Sequence, residues 1–193
     1  MKSEITSVLL VGVGGQGVLL ASEITARAAL AAGYTVKTNE VHGMAQRGGS
    51  VTAHVRYGEE VFSPLVPMGE ASVLGSLEEV EPIRYHNLLK PGGLAVVSAQ
   101  RIIPTTVSTG QATYPADAEE RLKRVFPNLV YFDAVKEAGA LGNPQAANMV
   151  ILGAMSTALD LSGDAWSESI AACVKPKFLE LNLRAFSRGR DLV

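Results

Sequence analysis

The sequence predicts an α/β fold, with a mostly parallel sheet and helices on both of its faces. Short apolar runs, which are typical of buried strands, alternate with longer segments of helical character. A cluster of glycines directly follows the first apolar run, as in a tight strand-to-helix turn. The chain has 193 residues, of which 47% are hydrophobic and 19% charged. We therefore expect one domain that spans residues 1–193.

The first informative stretch is the glycine-rich turn after the first predicted strand, residues 8–11. The glycines at positions 12, 14 and 17 fit the spacing of the dinucleotide-binding fingerprint, which favours a Rossmann-like domain. Glycine has no Cβ, so the backbone can turn sharply and approach a ligand closely. The helix start beyond the turn offers N–H groups to a phosphate or carboxylate. The candidate binding residues are Gly12, Gly14, Gly15, Gln16 and Gly17. The alternative is a turn that serves packing alone.

The remaining strands and helices alternate along the chain. Further strands are predicted at residues 34–38, 50–57, 71–75, 94–98 and 129–132. Further helices are predicted at residues 77–89, 116–125, 145–161, 165–174 and 176–188, with a short helix after Asp133. Residues 50–57 alternate between apolar and polar, which predicts a half-exposed strand. Residues 145–161 are apolar nearly all round, which predicts a helix buried in the core or against a partner. The β-branched residues around Pro104 indicate edge structure.

A second informative stretch follows the second predicted strand. Residues 39–49 have little helical periodicity and contain three glycines, so we predict a loop. A guanidinium beside two glycines suits an anion, because it makes bidentate contacts while backbone N–H groups come close. The candidate residues here are His42, Gln46, Arg47, Gly48 and Gly49. Ligands bind at the carboxyl edge of open parallel sheets, where both glycine-rich stretches should lie. The plainer alternative is a turn into the next strand with Arg47 in a surface ion pair.

The composition restricts the cofactors that this chain can hold by itself. The single Cys173 excludes an internal disulfide and a cysteine-ligated iron–sulfur cluster held by this chain alone. The three histidines show no close metal-ligand spacing, so zinc is not favoured. Thiamine diphosphate enzymes usually carry Gly-Asp-Gly followed by asparagine, whereas Gly163-Asp164 is followed by Ala165. We therefore expect no metal and no cofactor in this chain alone, and we assign no catalytic residue.

Charge and hydropathy restrict the partners. The formal net charge of −2 gives no general reason to expect nucleic acid. The longest apolar stretch, residues 146–161, is interrupted by polar residues and is too short to span a membrane. No long apolar signal region precedes the first predicted strand, so we expect a cytoplasmic protein.

The two glycine-rich stretches together resemble a known family. Residues 12–17 (Gly-Val-Gly-Gly-Gln-Gly) and the stretch from Glu40 to Val51 are similar to the gamma-type domain of the 2-oxoacid:ferredoxin oxidoreductases. The triplet His42-Gly43-Met44 looks most like the indolepyruvate branch of that family. Residues 132–134, 142–143 and 148–154 resemble later blocks of the family. The resemblance covers about residues 8–159.

This resemblance implies one subunit of a larger enzyme, inactive alone. Family members oxidatively decarboxylate a 2-oxoacid, form the acyl-CoA and reduce ferredoxin. The indolepyruvate branch uses arylpyruvates from amino-acid breakdown. Thiamine diphosphate, Mg and 4Fe-4S clusters are then expected in a large alpha subunit, and ferredoxin is a partner of the complex. This chain would help to form the active site and bind coenzyme A through its glycine-rich stretches, with Arg47 contacting a phosphate or the 2-oxoacid carboxylate.

Two other functions stay open from the sequence. A stand-alone nucleotide- or flavin-binding module would use the glycine fingerprint together with Glu40, which lies near the position expected for a ribose-binding acid. A purely structural assembly subunit would use its glycines for packing and contact no ligand.

Overall fold

One six-stranded sheet organises the chain. The computed structural model describes residues 5–43 and 48–193. The strands are β1 (Thr6–Val13), β2 (Thr35–His42), β3 (Ser50–Gly58), β4 (Ala71–Ser76), β5 (Leu89–Ser98) and β6 (Leu129–Phe132). Their order in the sheet is β2-β3-β1-β4-β5-β6. β3 is antiparallel to both of its neighbours, whereas β1, β4, β5 and β6 are parallel. The predicted α/β class with a mostly parallel sheet is confirmed.

Helices cover both faces of this sheet. They are α1 (Val18–Ala31), α2 (Glu81–Arg84), α3 (Thr105–Ser108), α4 (Ala118–Val125), α5 (Ala134–Ala140), α6 (Ala147–Ser156), α7 (Gly163–Cys173) and α8 (Leu179–Arg190). Val8 and Leu10 of β1 belong to the core with α1 and α5 to α8, while Leu9 and Val11 belong to a second core with Leu122 of α4. Because β1 is buried on both faces, its sequence is a continuous apolar run.

The apolar helix predicted at residues 145–161 lies in the core but is shorter than expected. All ten residues of α6 are buried. α6 crosses α8 at two glycines: a Cβ on Gly153 would overlap the Phe186 carbonyl oxygen, and a Cβ on Gly189 would overlap the Val150 carbonyl oxygen. The two helix backbones are therefore in direct contact. In the described ranges, no helix is long and apolar enough to cross a membrane.

Two predictions about the second and third strands were wrong. β2 extends to His42, so the predicted loop of residues 39–49 is shorter, and its residues 44–47 lie outside the described ranges. β3 is not half-exposed, since every residue after Ser50 is buried. Two of its polar residues contact the connecting segment, residues 61–70: the Arg56 guanidinium donates to the Ser63 carbonyl oxygen at 3.0 Å, and Nδ1 of His54 accepts from the Val66 N–H at 3.1 Å. The alternation of apolar and polar residues in β3 therefore reflects two buried faces that are covered by different parts of the chain.

The helix predicted at residues 77–89 does not form. Only α2 and a 3-10 turn at His86–Leu88 are helical there. The Ser76 hydroxyl does not cap a long helix, because it donates to the Glu78 carbonyl oxygen at 2.6 Å. The Glu78 carboxylate accepts from the backbone N–H groups of Val80 and Glu81 at 2.7 and 3.0 Å. These local bonds hold the chain in an irregular turn that buries its acidic side chains.

A smaller difference concerns the region around Pro104, and the ends of two helices have regular caps. Residues after Pro104 form the short helix α3, so the predicted edge structure was wrong. α7 is capped by Ser162, whose Oγ accepts from the Ala165 N–H at 3.1 Å, and Asp164 lies in its first turn. α1 ends in the usual way, since Gly33 has a positive φ of 86° directly after the C-cap residue Ala32.

Candidate functional site

Two glycines of the turn between β1 and α1 are required by packing within the chain. Gly17 caps α1 with a φ of 86°, and a Cβ there would lie 2.5 Å from Nδ2 of Asn148. A Cβ on Gly12 would lie 2.9 Å from Oε1 of Gln16 and 3.0 Å from Cγ2 of Val18. Internal contacts therefore account for these two glycines without any ligand.

Gly15 has no such internal contact. Its φ is 102°, which favours glycine, yet a Cβ there would have no atom within 4 Å. Gly17, two residues later, is the N-cap of α1, and no side chain caps that helix. The first N–H groups of a helix without a side-chain cap attract anions. Gly15 and the start of α1 are therefore the part of the turn where a ligand can approach the backbone.

Gln16 holds the turn from inside. Its Oε1 accepts from the Val13 N–H at 2.7 Å. Its Nε2 donates to the Leu77 carbonyl oxygen at 2.6 Å and to Oε1 of Gln100 at 2.8 Å. Val13 ends β1, Leu77 follows β4 and Gln100 follows β5, so one side-chain amide links the ends of three strands. Both amide hydrogens are used in this way, which gives Gln16 a bracing role in the turn.

The second glycine-rich stretch lies directly beside the first. The Gly14 N–H donates to the Gly49 carbonyl oxygen at 2.8 Å, and the Gly48 N–H donates back to the Gly14 carbonyl oxygen at 3.5 Å. These bonds continue the β1–β3 pairing beyond Val13 and Ser50. The structure thus brings Gly14, Gly48 and Gly49 together. Gln46 and Arg47, the other two candidates of that stretch, lie outside the described residues.

The glycine-rich turn separates two clefts. One has a volume of about 500 Å³ and is lined by the turn, the start of α1, His42 and Val51. The other has a volume of about 710 Å³ and lies on the β4–β5 side, with Leu77, Gln100 and Asn148 among its lining residues. Of the predicted site residues, His42 therefore lies on a cleft wall next to the turn. Its side chain is exposed, with Nδ1 3.3 Å from the Gly43 carbonyl oxygen.

A buried acidic network, which sequence reasoning missed, lies at the same edge of the sheet. Glu78 and Glu79 follow β4 and are 2% and 0% exposed. The Glu79 carboxylate accepts from Nε of Arg101 at 2.5 Å and from the Tyr131 hydroxyl. The Tyr114 hydroxyl donates to Glu78 at 2.6 Å. The network therefore ties the end of β4 to β6 and to the segment that follows β5.

The protonation of this network follows from burial and hydrogen bonding. Burial raises the pKa of the Tyr114 and Tyr131 hydroxyls well above the ordinary value, and their bonds to the glutamates add to the effect. The hydrogen bond to Glu79 raises the pKa of Arg101. All three groups keep their protons at neutral pH and act as donors. The only sequence signal for this network was the run of acidic residues that follows a buried strand. That run continues to Glu81, which is also buried and accepts a hydrogen bond from the Ser50 hydroxyl at 2.5 Å.

The geometry does not place Glu40 as a dinucleotide fingerprint requires. β3 lies between β1 and β2, so Glu40 pairs with Ala53, and Ala53 pairs with Leu10. Glu40 is therefore two strand spacings, about 10 Å, from β1 and level with its middle. In a dinucleotide-binding domain the second strand lies directly beside the first. The glycine turn and Glu40 do not form one ribose-diphosphate site.

The fold and the site together define the class of the protein as a Rossmann-like α/β domain. Its glycine turn is held by the Gln16 side chain and has a cleft on each side. In the described ranges, no three His, Cys, Asp or Glu side chains are grouped to hold a metal ion. The sequence model of the pyruvate ferredoxin/flavodoxin oxidoreductase family matches residues 7–192. This chain belongs to that family.

Relatives of known name cover nearly the whole chain. The indolepyruvate oxidoreductase subunit IorB of Thermococcus kodakarensis is 44% identical over 95% of this chain and 93% of its own length. IorB of Archaeoglobus fulgidus is 40% identical over 95% of this chain and 92% of its own length. The 2-oxoglutarate synthase subunit KorC of Methanothermobacter marburgensis is 31% identical over 100% of this chain and 97% of its own length.

Solved structures share the fold. The gamma subunit of a keto/oxoacid ferredoxin oxidoreductase from Geobacter sulfurreducens is 25% identical, with a TM-score of 0.70 and 97% of both chains covered. The pyruvate oxidoreductase subunit PORC of Thermotoga maritima is 22% identical, with a TM-score of 0.72 over 97% of this chain and 96% of that one. The structural neighbours thus confirm the Rossmann-like architecture.

Proposed function

We propose that this chain is the small, beta-type subunit of an indolepyruvate:ferredoxin oxidoreductase. The observation that carries this proposal is the identity of 40–44% with IorB subunits over 95% of the chain. The KorC subunits of 2-oxoglutarate synthases reach 30–31%, and a fourth IorB subunit reaches 31%. The three IorB subunits of higher identity favour the indolepyruvate type over the 2-oxoglutarate type.

Such an enzyme decarboxylates an arylpyruvate oxidatively, forms the aryl-acetyl-CoA and reduces ferredoxin. A larger alpha subunit would hold thiamine diphosphate, magnesium and the 4Fe-4S clusters, since a cluster of that kind needs several cysteine thiolates and this chain has one cysteine. We expect this chain to be inactive alone and to act in the cytoplasm, together with ferredoxin and coenzyme A.

The contribution of this chain is to bind coenzyme A and help close the active site at the glycine turn. The diphosphate of coenzyme A is an anion, and the start of α1 beside the open Gly15 suits an anion. The two clefts beside the turn offer space for the rest of the molecule. Arg47 would add a guanidinium to a phosphate or to the 2-oxoacid carboxylate, with Gly48 and Gly49 beside it. His42 would lie on the wall of the first cleft.

Reconstitution with a large alpha subunit tests the activity. The mixture should reduce ferredoxin with indolepyruvate and coenzyme A, and neither subunit alone should do so. Pyruvate and 2-oxoglutarate should be poorer substrates. A complex that prefers 2-oxoglutarate, or a chain that never associates with such a subunit, would contradict the proposed function.

Arg47→Ala tests the proposed binding role. Loss of a charge-assisted hydrogen bond should raise the KM for coenzyme A or for the 2-oxoacid by roughly 10-fold or more. The control is Arg27→Ala on α1, because that exposed arginine forms a surface ion pair with Glu23, at 2.9 Å. Steady-state kinetics of both variant complexes decide the matter. Equal kinetic constants for both variants would show that Arg47 does not contact coenzyme A or the 2-oxoacid.

A further inference from the structure

The segment between β3 and β4 presents large apolar side chains to solvent. The connecting segment, residues 61–70, joins β3 to β4 and packs on side chains of β3. It exposes Phe62 by 83%, Leu65 by 53% and Met68 by 74%. We call these three side chains the apolar strip. Single exposed apolar residues are normal, but three large ones on one ten-residue segment are typical of a protein interface.

The strip is held in place by buried polar groups. Arg56, which is 8% exposed, donates from Nη1 to the Ser63 carbonyl oxygen at 3.0 Å and from Nη2 to Glu70 at 3.4 Å. Nδ1 of His54 accepts from the Val66 N–H at 3.1 Å. The side chain of Val66 is buried between the exposed members of the strip. The strip is therefore presented by an anchored backbone, which lowers the entropy cost of binding.

The surroundings of the strip are acidic. Residues 57–83 contain no lysine or arginine, and three of their glutamates flank the strip along the chain. Glu59 and Glu60 precede the strip, Glu70 follows it, and all three are exposed. An apolar patch with acidic borders is complementary to an apolar groove with lysine or arginine at its borders.

This charge pattern indicates which kind of protein can bind to the apolar strip. A symmetric dimer would place the same patch of two copies face to face, so the acidic borders would meet each other. Like charges that face each other across an interface oppose association. The occupant is therefore a different polypeptide.

We propose that the apolar strip docks into a basic-bordered apolar groove on the large alpha subunit. This inference rests on the proposed function, which requires a larger partner. The strip adds a second contact, distinct from the coenzyme A edge, that serves assembly of the complex and takes no part in its chemistry.

The test measures the dissociation constant of the small and large subunits for surface variants of this chain. Phe62→Ser should raise it about 10-fold or more, because Phe62 is the most exposed large side chain of the strip. The control is Leu30→Ser on α1, whose side chain is 58% exposed and lies outside the connecting segment. The control should leave the dissociation constant within about twofold. Both variants should keep the wild-type melting temperature.

A charge pair of variants tests the acidic border. Glu60→Lys should weaken assembly several-fold at low salt and less at high salt, while Glu168→Lys on α7 should have no effect. An unchanged dissociation constant for Phe62→Ser and Glu60→Lys in an active complex would overturn the docking proposal and leave the proposed function intact. A wild-type homodimer that Phe62→Ser dissociates would overturn it in favour of a second copy. A wild-type chain that binds no large subunit would overturn the proposed function itself.

Discussion

At the scale of single residues, polar side chains of this protein brace backbone segments. Gln16 was predicted as a ligand-contacting residue because it lies within a glycine fingerprint. In the structure its amide bonds to Val13, Leu77 and Gln100. The sequence could not show this, because Leu77 and Gln100 are distant along the chain and come close only when parallel strands end at one edge. Its part in binding stays a prediction, and its part in shaping the turn is a structural fact.

His54 has a comparable bracing role that depends on pH. Its Nδ1 must be unprotonated to accept from the Val66 N–H. Burial lowers the pKa of His54 below the ordinary value of 6.5. The unfolded chain therefore takes up a proton at a higher pH than the folded chain does. Folding stability from this group is complete above about pH 6.5 and is lost as the pH falls from there towards the lowered pKa.

The free energy of unfolding of the wild-type protein should decrease on acidification, and that of His54→Asn should decrease less. Asparagine offers an Oδ1 near the position of Nδ1 and does not titrate. The variant should be less stable at pH 7, because its side chain is smaller, but its free energy of unfolding should change less between pH 7 and pH 5. Urea unfolding at several pH values measures this difference. His86→Asn, at an exposed histidine, is the control and should keep the wild-type pH dependence. An unaltered slope in His54→Asn would show that another group causes the acid sensitivity.

At the scale of elements, apolar pattern alone predicted the strands that are buried on both faces. Residues 8–11 and 94–98 lie in β1 and β5 as predicted, because a short continuous apolar run is typical of a strand between two layers of helices, although β5 begins earlier, at Leu89. The pattern failed where polar side chains are buried. Thr52, His54 and Arg56 of β3 alternate with apolar residues, so the strand was predicted to be half-exposed. Nothing local in the sequence indicates that the connecting segment covers His54 and Arg56.

The helix predicted at residues 77–89 failed for a related reason. Two consecutive glutamates after a serine are typical of a helix N-terminus. Here the carboxylates of Glu78 and Glu79 bond instead to Tyr114, Arg101 and Tyr131. Those partners follow in the sequence by more than 20 residues, so a local pattern cannot identify them. Tertiary hydrogen bonds outweighed helix propensity in this segment.

The crossing of α6 and α8 gives a prediction at the same scale. Gly153→Ala should destabilise the protein by roughly 1–3 kcal/mol, because its methyl group would overlap the Phe186 carbonyl oxygen and push the helices apart. Gly139→Ala is the matched control in α5, where an added Cβ meets no atom within 4 Å. The control should stabilise the protein by about 0.5–1 kcal/mol, since alanine is the better helix former. Urea unfolding should thus give opposite signs for the same chemical change. The same sign for both would mean that the helices can separate without cost.

At the scale of the whole molecule, the sequence predicted the edge of the sheet that carries the candidate site but not the order of its strands. Two glycine-rich stretches were expected to meet, and Gly14 does pair with Gly49. The insertion of antiparallel β3 between β1 and β2 was not predicted, because apolar runs carry no information on strand direction. That insertion separates Glu40 from the turn and weakens the dinucleotide alternative. The order of the strands in the sheet therefore decides whether a glycine fingerprint indicates a dinucleotide-binding site.

The last prediction uses two glycines to separate folding from binding. Gly15 and Gly33 have positive φ angles of 102° and 86°, and a Cβ on either would meet no atom within 4 Å. Gly15→Ala and Gly33→Ala should therefore destabilise the subunit by similar amounts, roughly 1–2 kcal/mol each. Only Gly15 lies where we propose that coenzyme A approaches the backbone. In the assembled enzyme, Gly15→Ala should raise the KM for coenzyme A about 10-fold, and Gly33→Ala should leave it unchanged. Since the folding cost is matched, a difference in KM reports ligand contact at the turn. Equal KM values at equal stability would mean that the turn serves packing alone, which is the structural alternative that its sequence allowed.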